Sequence, residues 1–321
     1  MSPTQTPPAD VASTGILVSG VARSFGDVHA VRDVSLEAKP GNVTALIGPN
    51  GSGKTTLMLM LASLLQPDRG TIRVGGADPV TDAASVRARL GWMPDILGSW
   101  NVLTVRAALE TTGRLYRMSR PEAATRAAEL IDLVGLEPLA ARQTRVLSRG
   151  QKQKLSLARA LVHDPDILLL DEPAAGLDPV ARHDLQLLVR RLAGEGKTIL
   201  VSSHVLAELD EMADTAVYLE AGVSASAERI AAAQSAKRAW RIRSFDSASL
   251  DNALLAAGFT AAELAYDRGD TTVLVDGEAG AAALLTKLVR SGVAISSFGP
   301  AVGDLEHTFL DLTKNTEGDA L

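Results

Sequence analysis

Unbroken runs of apolar residues recur along the first two thirds of the chain: "VTALI" (43–47), "ILLLD" (167–171), "TILVSS" (198–203) and "AVYLE" (216–220). Such runs fit parallel strands buried on both faces, because a half-wet antiparallel strand would alternate. Between them, apolar residues return at helical spacing. Leu57, Met60, Leu61 and Leu64 make one stripe, on a helix expected to end near Leu65. Leu155, Ala158, Leu161 and Val162 make another. Strand and helix in alternation predict an α/β domain with a mainly parallel core sheet over residues 16–222.

The pattern changes after residue 222. "VSASAERIAAAQSAKRA" (223–239) is rich in Ala and Ser and reads as a partly helical linker. Beyond it, strands are expected at 240–245, 261–267, 271–276 and 293–298, and helices at 250–258 and 280–292. The order strand-helix-strand-strand-helix-strand matches the split βαβ, or ferredoxin-like, arrangement. It predicts a small α+β accessory domain over 240–314, with flexible tails at 1–15 and 315–321.

The chain has 321 residues, no cysteine and a formal net charge of −6 at pH 7. Without cysteine there is neither a disulfide framework nor a thiolate metal site, and a reducing compartment is the simplest home. The acidic balance argues against nucleic acid as a partner. The start "MSPTQTPPADVASTG" lacks the basic and apolar regions of a secretory signal. The most apolar run, "LMLMLASLL" (57–65), is about half the length of a membrane span. A cytoplasmic protein is expected, with any membrane role exercised through a partner.

Two stretches carry chemistry. "GPNGSGKTT" follows the strand "VTALI" and opens a helix, which is the context a phosphate-binding loop requires. Gly48, Gly51 and Gly53 let the backbone of this loop, completed by Pro49, Asn50 and Ser52, bring successive N–H groups onto phosphates. Lys54 brings charge to the β- and γ-phosphates, the Thr55 hydroxyl is placed for Mg²⁺, and Thr56 adds an α-phosphate contact. The second stretch, "ILLLDE", ends a buried strand in Asp171 and Glu172, at the edge where ligands of α/β sheets bind. Asp171 can hold Mg²⁺ through water, and Glu172 can polarise an attacking water. A third stretch, "VLSRGQKQKLSLARALV" (146–162), offers a helix start suited to an anion but far in sequence from that loop.

Over residues 16–222 these motifs, in this order, resemble the ATP-binding subunits of ABC transporters. "LSRGQ" (147–151) matches the signature motif, with Arg149 at its tolerant position, and "AAGLD" (174–178) matches the D-loop. His204 in "SSHV" matches the switch histidine, and Phe25 takes the aromatic position that stacks on adenine. The resemblance implies a P-loop NTPase core with a helical subdomain at about 95–165, ATP and Mg²⁺ as ligands, and ATP hydrolysis. It also implies a head-to-tail dimer in which Ser148, Arg149, Gly150, Gln151 and Asp178 act in trans on the partner's ATP. The expected partners are a second copy of the subunit and an integral membrane permease encoded as a separate chain, with this chain peripheral on the inner face of the membrane.

One position departs from the pattern. Asp95 in "LGWMPDILGSWNVLTV" stands where the family usually has a glutamine; its shorter, charged side chain suits a water-bridged contact with Mg²⁺. That segment and the ending "DLEHTFLDLT" (304–313) resemble the type-two exporter branch. A soluble ABC ATPase acting on ribosomes or DNA is the competing class. It is disfavoured by a single motif set and by the absence of sustained coiled-coil heptads. His29, His163, His183 and His307 read as surface or capping residues, and Lys152 and Lys154 as a solvated helix face.

Overall fold

The structure, a computed structural model, describes residues 15–95, 98 and 100–318, with side chains as far as Thr313. The tail expected at 1–15 lies outside the described residues except for Gly15, as do residues 319–321 of the second expected tail.

In chain order the first unit comprises β1 (Ile16–Phe25), β2 (Val28–Ala38), β3 (Val43–Ile47), α1 (Lys54–Leu61), β4 (Arg69–Val74), α2 (Ala83–Arg89) and β5 (Leu90–Met93). There follow α3 (Val105–Leu115), α4 (Arg120–Leu133), α5 (Arg149–Ala160), β6 (Ile167–Asp171), α6 (Pro179–Gly194), β7 (Thr198–Ser202), α7 (Leu206–Asp210), β8 (Thr215–Glu220) and β9 (Val223–Ser224). The nine strands form one sheet in the order β4-β1-β2-β9-β8-β3-β7-β6-β5. From β8 to β5 all pairs are parallel, and every residue of β3, β6 and β7 is buried. This is the half announced by the unbroken apolar runs, since parallel strands covered on both faces have no solvent side. The other end is antiparallel: β1 pairs with β2 and with β4. Side chains there alternate between buried and exposed, as in β4, so no apolar run announces these strands.

Helix α1 is shorter than its stripe suggests. It ends at Leu61, because Ser63 turns into the left-handed region (φ 60°) and Leu64 N–H returns to Leu59 O at 2.9 Å. Leu64 therefore leaves the apolar face and is 58% exposed. The core between α1 and the sheet is built instead on Leu57, Met58, Met60 and Leu61, packed with residues such as Leu46, Leu169 and Leu200. Helices α3, α4 and α5 form the helical insertion. Ser119 and Glu122 close a capping box at the start of α4, where Pro121 occupies the first turn.

Contacts divide the chain after Ala225. The second unit comprises α8 (Ala227–Ser235), β10 (Arg238–Ser244), α9 (Ser247–Ala257), β11 (Ala265–Asp267), β12 (Asp270–Val275), α10 (Gly277–Arg290), β13 (Ile295–Pro300) and α11 (Asp304–Gly318). Its four strands are antiparallel in the order β11-β12-β10-β13. Ile242, Leu254, Val273, Leu284 and Leu288 form its core, drawn from the sheet, α9 and α10. The Ala/Ser-rich stretch 223–239 is largely structured: it holds β9, α8 and the start of β10. Helix α8 packs on α11, which continues to Gly318, past residue 314. The strand expected over 261–267 is reduced to β11. Thr260 and Glu263 cap each other and wind residues Ala261–Glu263 into a 3₁₀ turn. Among the described residues no helix is long and apolar enough to cross a membrane.

Leu169 is wholly buried at the centre of β6. Leu169→Ala should cost about 2–5 kcal/mol of unfolding free energy. Chemical denaturation measures it, and a loss of under about 1 kcal/mol would mean the site collapses without leaving a cavity.

Candidate functional site

The carboxyl ends of β3 and β6, neighbours of β7 on either side, bring the first set of residues together. Residues 48–53 form the loop between β3 and α1. Gly53 caps the helix at φ 101°, and a Cβ there would lie 2.5 Å from Ala30 O, so a side chain is excluded both by conformation and by space. Lys54 curls back over this loop, its Nζ donating to Gly48 O (2.7 Å) and Pro49 O (3.1 Å). Burial lowers its pKa, against the raising influence of Glu172 and Asp171. Among the described residues the buried Ser52 hydroxyl has no hydrogen-bond partner, the kind of orphan that a phosphate oxygen satisfies.

Asp171, the last residue of β6, is 2% exposed. Its Oδ2 accepts from Thr55 Oγ1 at 3.1 Å and its Oδ1 from Ser202 Oγ at 2.6 Å. Pairing of Asp171 with Ser202 in the β6–β7 ladder aligns the latter contact. Glu172 follows in the left-handed region (φ 51°), an unfavourable conformation for a side-chain-bearing residue, and more so before Pro173. Its N–H donates to Ser202 O and Ser202 Oγ, both at 3.2 Å. Its carbonyl accepts from Ala175 N–H (3.1 Å) and from Gln153 Nε2 (2.7 Å). Its carboxylate Oε2 lies 2.7 Å from His204 Nδ1. Glu172 is thus held on every side, while the His204 side chain is 62% exposed.

A cavity of about 390 Å³ opens over this cluster. Asn50, Gly51, Gly53, Lys54, Thr55, Thr56, Asp171 and Glu172 line it, and Asp95, just past β5, reaches the same cavity. Val28, His29 and Ala30 complete the wall. His29 is exposed, as expected, and also lines this cavity: the β1–β2 hairpin brings it to the loop, with Nδ1 2.8 Å from Ser24 Oγ. No motif signals the cavity contact, because a strand beginning far from the loop in sequence delivers it. His163, expected at the surface or in a cap, is instead half-buried, stacked on Tyr116 at 3.8 Å with Nε2 on Leu90 O, and burial lowers its pKa. Phe25 does not line the cavity. It is 48% exposed on the β1 end, with the Arg23 guanidinium 5.0 Å above its ring.

The signature residues gather elsewhere. Ser148 caps α5: its Oγ accepts from Gln151 N–H (3.2 Å) and its own N–H donates to Gln151 Oε1 (2.9 Å). This capping box fixes the first turn and leaves the Ser148 hydroxyl proton free to donate. Asp178 caps α6 by accepting from Ala181 N–H at 2.9 Å, which lowers its pKa. A Cβ on Gly150 would stand 3.2 Å from Leu177 and 3.3 Å from Gly176 O, so the helix start lies close against the D-loop. Ser148, Arg149, Gly150, Gln151 and Asp178 line one cavity of about 380 Å³. Among the described residues it shares no lining residue with the phosphate-loop cavity.

Comparison with known proteins agrees with this geometry. The family model described as "ABC transporter" matches residues 31–175. An ABC transporter ATP-binding protein, NatA of Bacillus subtilis, is 39% identical over 212 residues, 64% of this chain and 86% of the relative. A daunorubicin resistance ATP-binding protein of Streptomyces coeruleorubidus is 38% identical, covering 66% of this chain and 67% of that one. A Nod factor export ATP-binding protein of Rhizobium johnstonii is 37% identical, covering 68% and 70%. Among solved structures, a dimeric post-hydrolysis ATP-binding cassette bound to ADP and Pi superposes with a TM-score of 0.61 at 26% identity, over 66% of this chain and 97% of that one.

Ser202 serves both Asp171 and Glu172. Ser202→Ala strips one donor from a buried carboxylate and should cost about 1–3 kcal/mol. Denaturant titration measures this, and an unchanged midpoint would mean that the Ser202 hydroxyl holds neither residue.

Proposed function

The chain belongs to the ATP-binding proteins of ABC transporters, and from that premise we infer that it binds and hydrolyses ATP to power a separate membrane permease. The observation that carries the mechanism is the separation of the two cavities. The phosphate loop and the signature helix line separate cavities with no described residue in common, which favours their serving different nucleotides. Each completes its site on a second copy, so that two ATP molecules are enclosed across a two-fold axis.

In this reading the loop N–H groups, Lys54 and Thr56 cradle the phosphates. Thr55 and Asp171 present a hydroxyl and a carboxylate side by side, a hard-oxygen pair that fits Mg²⁺; Thr55 would hold the ion directly and Asp171 would hold it through water. That ion, when bound, neutralises charge on the β- and γ-phosphates. Glu172 accepts a hydrogen bond from the attacking water and directs it at the γ-phosphorus. The bond to the bridging oxygen breaks, leaving ADP and phosphate. His204 orients the Glu172 carboxylate through the 2.7 Å contact. Asp95, which lines the same cavity, would contact Mg²⁺ through a water. Phe25, exposed at the β1 end, is the aromatic face proposed for the adenine.

From the partner copy, the Ser148 hydroxyl and the Gly150 N–H donate to the γ-phosphate, with the α5 dipole adding to the attraction and Arg149, Gln151 and Asp178 framing the contact. ATP thereby joins the two subunits, and hydrolysis releases them. Export is the direction supported by two relatives whose names specify drug resistance and Nod factor export, and by the "LE…FL…LT" ending on α11. The permease places the subunit on the inner face of the membrane.

Glu172→Gln should abolish turnover, on the order of a hundredfold or more, while ATP accumulates in a stable dimer seen by size-exclusion chromatography. Retained turnover would remove Glu172 from the reaction. Ser148→Arg should leave ATP binding by the monomer intact and eliminate ATP-dependent dimerisation and turnover. An equal loss of monomer binding would show that Ser148 faces its own nucleotide.

A further inference from the structure

Glu172 is the most constrained residue of the site. Its left-handed φ before a proline is a conformation that the chain does not adopt unaided, and costs about 1–3 kcal/mol. Surrounding hydrogen bonds must therefore hold it. The Ser202 and Ala175 restraints come from β7 and from the turn that Glu172 itself begins. The Gln153 restraint has a different origin. Gln153 is 2% exposed, lies on α5, and spans from that helix to the Glu172 carbonyl at 2.7 Å. Among the described residues it is the one side chain of the helical insertion with a hydrogen bond to Glu172.

Gln153 also shares a helix with the signature residues. It stands one turn beyond Gly150, and the Ser148–Gln151 capping box makes that first turn a rigid lever. The start of α5 faces one cavity and Gln153 grips the wall of the other. A short, buried amide bond is a poor spacer: a shift of the helix by even a fraction of an ångström must stretch it or move the Glu172 peptide.

We propose that Gln153 is a positioning residue that ties the catalytic carboxylate of one subunit to the engagement of the same subunit's signature helix on its partner's ATP. The two composite sites are thereby coupled: docking on the neighbour's nucleotide sets the Glu172 peptide for hydrolysis of the subunit's own. This rests on the two-subunit site proposed above. The amide acts through the backbone of Glu172 and touches no nucleotide.

Mixed dimers made from differently tagged full-length chains separate this from a signature role in trans. Gln153→Met keeps the volume and the apolar stem but loses the donor. In the first dimer, a Gln153→Met chain is joined to a Glu172→Gln chain, so the sole functional Glu172 lies beside the altered position. In the second, a wild-type chain is joined to a Glu172→Gln/Gln153→Met chain, so the sole functional Glu172 keeps its own Gln153 and faces an altered signature helix. The reference is wild type joined to Glu172→Gln. Single-turnover hydrolysis in the first dimer should fall by about tenfold or more, with ATP half-saturation within about twofold of the reference. The second dimer should stay within about twofold of the reference rate.

Loss in the second dimer alone, or equal loss in both, overturns the proposal while leaving the composite site standing. Failure of every Glu172→Gln pair to dimerise in ATP overturns both readings. Should Gln153→Met not fold, Gln153→Glu, which replaces the donor by an acceptor of the same shape, gives the same comparison.

Discussion

The site depends on how one buried strand ends. Strand β6 is covered on both faces, so it can stop only where its last carboxylate finds partners, and Ser202 on the adjoining β7 supplies them. That one side chain donates to Asp171 and accepts from the Glu172 N–H. Without this ladder neighbour, Asp171 would be a buried charge with a single hydroxyl on it, and the left-handed backbone of Glu172 would lose the restraint on its N–H. The parallel core sheet is therefore the frame that holds two acidic groups in fixed and unequal roles. One is enclosed next to Thr55; the other is turned out toward His204.

The same constraint explains the balance of charge. Among the described residues Lys54 is the one lysine or arginine in the phosphate-loop cavity wall, which it shares with Asp171, Glu172 and Asp95. Burial penalises its charge, and the nearby carboxylates restore part of it. Until phosphate arrives, its ammonium is occupied by two loop carbonyls. An incoming phosphate thus meets a donor already gathered and partly desolvated, which lowers the cost of ordering the loop around it. The signature end is prepared in the same manner. Its first turn is fixed by an internal capping box, and close approach at Gly150 holds it against the D-loop, while the Ser148 hydroxyl keeps a proton to donate.

Much of this was legible in the sequence, for physical reasons that also mark the limits. Strands β3, β6 and β7 were visible because burial on both faces demands unbroken apolar runs, and their ends located the phosphate loop and Asp171–Glu172. The antiparallel strands β1, β2 and β4 were not, since alternation and bulges dilute the signal. His29 is exposed as expected, but its place in the cavity wall was not legible, because it arrives through a hairpin rather than a motif. Leu64 was assigned to a helix that a left-handed Ser63 ends early. Gln153 lay inside the quoted stretch "SRGQKQKLSLA", yet nothing in its spacing shows that it turns inward to a carbonyl nineteen residues on. That contact belongs to tertiary packing, and only the fold reveals it.

The central claim is that catalysis requires two copies, because each chain carries half of each site. Specific activity measured against protein concentration tests it directly, with purified subunit at saturating ATP and diluted through the dimerisation range. The account predicts that turnover per subunit falls toward zero on dilution, with the total rate rising as the square of concentration at the dilute end. Turnover per subunit that stays constant down to concentrations where the protein is monomeric would mean that one chain contains a complete site, and would contradict the account.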